Sequence, residues 1–137
     1  MAIDLGQTGI LYPERMAQLK DFSNMKLNGF TPTDIDFAYD VRGDTFVFGE
    51  LKCAGAPFPM GQRRLLMALL FLCIEAKKNG LLLVAEHDTQ PSEPIDVGNL
   101  YVTQSDHTHN GAIVSNTYVG MTVHKASSEF LDDNAQK

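Results

Sequence analysis

The stretch Thr45-Phe46-Val47-Phe48-Gly49-Glu50-Leu51-Lys52-Cys53 is rich in aromatic and β-branched residues and has the length of a single strand. Successive side chains of a β-strand point to opposite faces, so the stretch predicts a strand with two different faces. One face carries Phe46, Phe48, Glu50 and Lys52, and the other carries Val47, Gly49, Leu51 and Cys53. An acid and a base that share a face with two phenyl rings are not typical of a simply solvated surface. They are therefore candidates for a functional site.

A second strand precedes this one, and the two are expected to form a hairpin. The odd-numbered residues of 35–39 are apolar, and the segment leads into the turn sequence Val41-Arg42-Gly43-Asp44. Asp34 and Asp36 share one face of this strand. The turn decides whether that face is also the face of Glu50.

Three hairpin registers are open. A two-residue loop at Arg42-Gly43 sends Glu50 to the face opposite the two aspartates. A three-residue loop over 41–43, whose third residue is the glycine that a type I turn with a bulge needs, places Asp34 opposite Glu50. A three-residue loop over 42–44 places Asp36 opposite Glu50 instead.

Either three-residue register clusters two or three carboxylates and the Lys52 ammonium within about 5–8 Å. Such a carboxylate cluster is electrostatically costly, and a hard divalent cation would resolve the repulsion. Oxygen ligands fit Mg²⁺ or Mn²⁺ rather than zinc. A lysine beside the cation can orient or deprotonate a water molecule, or stabilise charge that develops on a phosphate.

The remaining pattern predicts helices and further strands around the hairpin. A first helix begins near Pro13, carries an apolar stripe that includes Phe22 and Met25, and ends at Asn28-Gly29. A second helix over 60–78, ended by Gly80, precedes a continuous apolar strand over 81–85. Two more strands are expected over 100–103 and 112–123, the second interrupted by Asn116 and Gly120. The predicted fold class is therefore α/β (α+β mixed sheet), helix-strand-strand-helix-strand with additional C-terminal strands.

Length and composition limit the organisation of the chain. It has 137 residues, of which 44% are hydrophobic, enough for one core. We expect a single domain over residues 1–126 and a flexible, polar C-terminal tail over 127–137. Cys53 and Cys73 are too few for a disulfide framework, which predicts a reducing cytoplasm. No stretch approaches the roughly 18 apolar residues of a membrane span, and Met1-Ala2-Ile3-Asp4 lacks the features of a signal peptide.

The charge balance argues against a nucleic-acid partner when it is taken alone. Lys and Arg number 11 against 17 Asp and Glu, which gives a net charge of −6. Two or three of these carboxylates would belong to the proposed metal site and would be offset by the cation. Lys52, Arg63 and Arg64 would then leave a cationic local field, so the net charge does not exclude DNA as a partner.

The arrangement resembles the PD-(D/E)xK nuclease superfamily, and more narrowly its small phage-type members with a Thr-Asp-Ile-Asp block and a Gly-Gln pair that opens the helix. The resemblance covers residues 13–87 and is carried by the aspartates, the hairpin, Glu50-Leu51-Lys52 and Gln62. It implies a restriction-endonuclease-like core and hydrolysis of DNA in the cytoplasm of the host cell. Mg²⁺, with Mn²⁺ able to substitute, would be held by Asp36 or Asp34, by Glu50 and by the carbonyl of Leu51. Lys52 would be the catalytic lysine, and Gln62 would belong to the catalytic set.

Two features depart from the family pattern. Pro32 precedes Asp34 by two residues and no proline directly precedes either aspartate, so both remain candidates, with Asp36 slightly favoured. Leu66 stands four residues after Gln62, where some exonuclease branches carry tyrosine. The resemblance therefore favours an endonuclease that acts on duplex or branched DNA.

The beginning of the second helix offers phosphate contacts. Arginines and a helix N-terminus both favour anions, so Gln62, Arg63 and Arg64 are candidate DNA contacts, and capping with surface charge is the alternative. His107-Thr108-His109 lies among polar residues and is expected in a loop. Branch-cutting members of such families act as dimers, and by analogy a chain this small would need a second copy to span a junction.

Two other functions remain open from the sequence. The chain could be a non-catalytic phage structural, assembly or DNA-processing accessory protein that retains the fold. A carboxylate-metal phosphohydrolase that acts on nucleotides is the third alternative, and the short chain leaves it little room for a deep pocket.

Overall fold

The computed structural model describes residues 4–5, 8–9, 21–30 and 32–135. The chain divides into two compact units, Met1–Pro32 and Thr33–Lys137, and the single domain over 1–126 stays a prediction. In the first unit, β1 (Asp4–Leu5) pairs with β2 (Thr8–Gly9) in antiparallel orientation.

The predicted first helix is wrong where it falls on described residues, and its residues 13–20 lie outside them. Phe22 and Met25 lie in a segment of turns, and both side chains are about half exposed. The Asp21 carboxylate accepts the Ser23 N–H at 2.9 Å, a local bond that competes with a helix. Asn28 and Gly29 both take positive φ, 52° and 84°, and form a tight turn closed by the bridge of Leu27 with Phe30.

The second unit is built on a mixed sheet of five strands in the order β3-β4-β5-β6-β7. The bounds are Phe37–Val41 for β3, Thr45–Cys53 for β4, Asn79–His87 for β5, Val102–His109 for β6 and Ala112–Ser115 for β7. Only β4 and β5 run parallel, joined through α1 (Met60–Glu75), and the other neighbours are antiparallel. α2 (Val123–Asn134) follows β7. The predicted α/β class with a mixed sheet is confirmed at this level.

α1 and α2 cover opposite faces of the sheet. Leu66 and Leu70 of α1 pack with Leu82 and Phe48 on one face. Phe130 of α2 joins the core on the other face, which includes Val47, Leu81, Leu83 and Val102. Leu81 to Ala85 are each at most 1% exposed, so the predicted buried central strand is confirmed and extends to Asn79–His87.

α1 ends earlier than the sequence indicates. Lys77 takes φ 58° and donates its N–H to Ile74, while the Lys78 N–H bonds to the Cys73 carbonyl at 2.7 Å. These two bonds form a Schellman motif, which closes the helix without glycine. Gly80 lies in β5 instead, where an added Cβ would come within 3.0 Å of Cys73 and Leu70.

The C-terminal third departs most from the prediction. The strand predicted over 112–123 ends at Ser115, where the interruption at Asn116 was expected: Asn116 takes φ 67°, and no strand resumes between it and α2. The strand predicted over 100–103 begins at Val102 and continues to His109. The predicted flexible tail over 127–137 is helical up to Asn134, and Phe130 is 1% exposed. Thr122 caps this helix by accepting the Lys125 N–H at 3.1 Å. His107-Thr108-His109 lies in β6, not in a loop.

Among the described residues, no helix is long and apolar enough to cross a bilayer. Cys73 is buried as expected of a core residue, whereas Cys53 is exposed.

Gly49 lies directly under the Phe37 ring, so an added Cβ would overlap that ring. We expect Gly49→Ala to lower the free energy of unfolding by about 1–3 kcal/mol, because the ring must move out of the core. Chemical denaturation measures this loss. In a Phe37→Ala background the same substitution should cost less than about 0.5 kcal/mol, and an equal cost in both backgrounds would refute the overlap.

His107 introduces a pH dependence on the α2 side of the sheet. Its ring packs edge-on against Tyr118 and Phe130, at centroid distances of 5.3 and 6.0 Å. Burial, together with His109, lowers the pKa of His107, while Asp106 and Asp133 act in the opposite direction. Within the described chain its Nδ1 is buried without a hydrogen-bond partner. Charging this ring is therefore unfavourable in the folded state.

Since the unfolded chain binds this proton near pH 6.5 and the folded chain resists it, stability should fall as the pH drops below about 6.5. We expect the melting temperature to fall more between about pH 7.5 and 5.5 in the wild type than in His107→Gln. His124→Gln, at an exposed position of α2, is the matched control. Identical pH profiles for the wild type and His107→Gln would contradict this assignment.

Candidate active site

The turn between β3 and β4 sets which carboxylates face each other. Arg42 and Gly43 take φ 58° and 69°, and the Asp44 N–H bonds to the Val41 carbonyl at 3.1 Å, the geometry of a type I′ turn. The first ladder pair is Val41 with Thr45, so Asp44 is an additional loop residue. The loop therefore covers 42–44, and the two other registers are not formed.

This register brings Asp36 to the edge of β4 near Glu50. The ladder runs back to Phe37 opposite Gly49, so Asp36 is the next residue along. Its Oδ2 accepts the Leu51 N–H at 2.7 Å, in place of a backbone acceptor from β3. In an extended strand the N–H and C=O of one residue point to the same side. The Leu51 carbonyl therefore faces the same edge as the Asp36 carboxylate.

Glu50 is the buried carboxyl group of this cluster, with the residue 5% exposed. Its Oε1 accepts the Gln62 Nε2–H at 2.6 Å. Within the described ranges its Oε2 is buried without a hydrogen-bond partner. Burial raises the pKa of Glu50 to about 7, Asp36 and more weakly Asp34 add to the rise, and Gln62 opposes it. Ionisation of Glu50 is therefore unfavourable in the folded protein, and a bound cation would stabilise the ionised form.

Lys52 lies on the same face of β4 but is engaged by two other groups. Its Nζ contacts Glu86 Oε1 at 2.9 Å and donates to the Ala56 carbonyl at 2.7 Å. The parallel register of β4 and β5 places Lys52 directly beside Glu86. Glu86 was not singled out from the sequence. The sequence feature that could have identified Glu86 is its position directly after the buried residues of β5. That strand is parallel to β4, which carries Lys52.

The three residues at the beginning of α1 separate in space. Gln62 faces the sheet and bonds to Glu50, whereas Arg63 and Arg64 are both exposed. Arg63 lines a shallow pocket of 340 Å³ together with Gln104, Asp106 and Ser115. Arg64 follows Gln62 by two residues, a rotation of about 200°, and so projects from the far side of α1. Gln62 therefore contacts Glu50, whereas Arg64 lies on the opposite side of the helix.

Asp34 is exposed, and the adjacent Ile35 packs into the core under α1. Because Asp36 bonds to Leu51 while Asp34 contributes only weakly to the pKa of Glu50, Asp36 is the closer partner of the cluster.

The donor set can be compared with what a divalent cation needs. Among the described residues, no three or more His, Cys, Asp or Glu side chains are grouped as a metal site. The candidate oxygen ligands are the carboxylates of Asp36 and Glu50 and the Leu51 carbonyl. The Oε2 of Glu50 is a buried oxygen without a donor among the residues described. An all-oxygen set with an orphaned carboxylate oxygen fits Mg²⁺ or Mn²⁺, the remaining positions being available to water.

Comparison with known proteins gave no match among protein-family models, curated proteins or solved structures. The assignment to the PD-(D/E)xK superfamily and the restriction-endonuclease-like core accordingly stay predictions.

The raised pKa of Glu50 predicts a stability effect that is independent of any activity. Because the unfolded carboxyl group titrates near 4.5 and the folded one near 7, stability should fall as the pH rises through this window. We expect Glu50→Gln to raise the free energy of unfolding at about pH 8, without divalent cations, by an amount of the order of 1–3 kcal/mol.

The gain should shrink at about pH 5, where the wild-type carboxyl group is already neutral. Denaturation at the two pH values, with the exposed Glu93→Gln as control, measures the difference. A Glu50→Gln protein that is less stable than the wild type at the higher pH would contradict the electrostatic account.

Proposed function

We propose that the protein is a Mg²⁺-dependent nuclease that hydrolyses phosphodiester bonds in DNA. The observation that carries the proposal is the buried Glu50, with an orphaned Oε2, next to Asp36 and on the same face of β4 as Lys52. A carboxylate at this depth is unfavourable without a counter-charge, and the hydrogen bond from the neutral Gln62 amide only partly offsets the burial and the nearby Asp36.

Each group of the cluster has a role in this proposal. Asp36, Glu50 and the Leu51 carbonyl would hold the cation, which supplies Lewis acidity and neutralises charge on the scissile phosphate. Gln62 orients Glu50 through its 2.6 Å hydrogen bond. Lys52, released in part from Glu86, would orient the attacking water molecule or stabilise the developing negative charge.

Binding of DNA requires a cationic local field on an acidic chain. Arg63 is exposed and lines a pocket with Gln104 and Ser115, on β6 and β7, where it suits a phosphate contact. Arg64 projects from the far side of α1, so we do not include it in the contact surface of this site. With few cations at the site, we expect salt-sensitive DNA binding that depends on the metal.

One observation favours a non-catalytic role, such as an assembly or DNA-processing accessory protein. The Lys52 ammonium is held by Glu86 and by the Ala56 carbonyl, and its side chain is only 20% exposed. In this alternative the ion pair is structural, and the carboxylate cluster neither binds Mg²⁺ nor cleaves DNA.

A cleavage assay separates the two functions. Labelled linear, flapped and four-way-junction DNA should be cut by the wild type only when Mg²⁺ or Mn²⁺ is present. Lys52→Ala and Glu50→Gln should each lose about 100-fold or more of the rate, because each removes a group that acts in the transition state. Lys78→Ala is the matched control, since Lys78 makes a comparable ion pair with Asp44 on the exposed surface.

Circular dichroism should show that all the variants fold. Full activity of Lys52→Ala would refute its catalytic role. Absence of cleavage together with absence of Mg²⁺ binding in calorimetry would favour the accessory-protein alternative.

A further inference from the structure

The outward face of α1 carries two large apolar side chains, Phe71 and Leu72, that the described residues leave exposed. Arg64, Ala68, Phe71 and Glu75 recur at the helical spacing of four, three and four residues, so they form one line along the helix. We call this line the α1 stripe. Phe71 is 55% exposed, and Leu72, which flanks it, is 61% exposed. Most soluble chains keep such side chains singly on the surface, so a phenyl and an isobutyl group side by side indicate a contact surface.

The α1 stripe is complementary to itself in charge and in side-chain size when a second copy runs in the opposite direction. Its two ends have opposite charge, Arg64 at the beginning and Glu75 at the end. Between them a small residue, Ala68, stands next to a large one, Phe71. If two copies of the helix align antiparallel about the midpoint, Arg64 meets the partner subunit's Glu75, and Phe71 meets the partner subunit's Ala68. Every contact then occurs twice, as in an isologous interface.

We propose that the α1 stripe is a homodimer interface in which the α1 helices of two copies of this chain pack antiparallel. Ala68 allows the close approach that helix packing needs, and each Phe71 fills the space above it. This proposal does not depend on the nuclease proposal. The stripe lies on the side of α1 opposite to Gln62, so the dimer leaves the Glu50 cluster uncovered.

The size of the α1 stripe limits the expected affinity of the dimer. It spans about 16 Å at 1.5 Å per residue, and a single pair of such helices buries less than the roughly 1,200 Å² of a typical stable interface. We therefore expect a concentration-dependent dimer with a dissociation constant in the micromolar range.

Exchanging the charges at the two ends of the α1 stripe tests whether a second copy of the chain binds it. Arg64→Glu places two acids against each other, Glu75→Arg places two bases against each other, and in a symmetric dimer each change acts twice. Each single variant should weaken dimerisation by about tenfold or more in sedimentation equilibrium, whereas the double variant Arg64→Glu/Glu75→Arg should recover to within about threefold of the wild type. Lys125→Glu, at an exposed position of α2, changes the net charge by the same amount as Arg64→Glu and should not weaken the dimer.

Neither single substitution should damage the helix, because Arg64 and Glu75 are both exposed. A base at position 75, in the last turn of α1, also interacts favourably with the helix dipole. Melting curves of each variant confirm that the monomer remains folded. A wild type that stays monomeric up to about 1 mM overturns the proposal. A double variant no tighter than the single variants also overturns it, and indicates instead that another partner or another part of the chain covers the stripe.

Discussion

The register of the hairpin between β3 and β4 is the constraint on which the candidate site depends. Because side chains alternate along a strand, a shift of one residue would move Glu50 and Lys52 to the face away from the aspartates. The turn prevents this shift: Arg42 and Gly43 take positive φ, and Asp44 is accommodated as one additional residue. The bond from the Leu51 N–H to Asp36 then fixes the end of the hairpin where β3 begins. The turn at residues 42–44 and the hydrogen bond from Leu51 to Asp36 therefore bring the carboxylates of the cluster together.

The electrostatics of the cluster follow from its position at the boundary between core and edge. Phe48 and the apolar residues of α1 exclude water behind Glu50, while Asp36 remains exposed in front of it. The buried carboxyl group therefore has its pKa raised, whereas Lys52 is neutralised by Glu86 from the parallel neighbour strand. The acidic composition of the chain is thus less informative about DNA binding than the arrangement of a few groups on one face of the sheet.

Much of the central unit could be predicted from the sequence, and the rest could not, for physical reasons. Strict alternation in β4 and the unbroken apolar run of β5 encode their faces and their burial, so both strands were predicted. The hairpin register was narrowed to three alternatives, since sequence alone does not show which residue will be accommodated as the additional one. Glu86 was missed because its partner, Lys52, becomes a neighbour only through the parallel pairing of β4 and β5.

The ends of the chain were the least predictable parts. Residues 127–134 read as a polar tail because only one face of α2 is apolar, and Phe130 alone marks that face strongly. The spacing of Phe22 and Met25 suggested a helix, but the side chain of Asp21 and the Asn28-Gly29 turn stabilise other backbone conformations. In the first segment local polar bonds outweighed the periodic pattern, and in α2 the packing of Phe130 in the core outweighed the polar composition.

The central claim is that Glu50 is a buried carboxyl group made ready for a divalent cation. The measurement that tests it most directly is a ¹³C NMR titration of the Glu50 carboxyl carbon, with and without Mg²⁺. A pKa near 7 without the metal, moving well below its ordinary value when Mg²⁺ is added, is the predicted result. A pKa near 4.5 that does not change with Mg²⁺ would contradict the account.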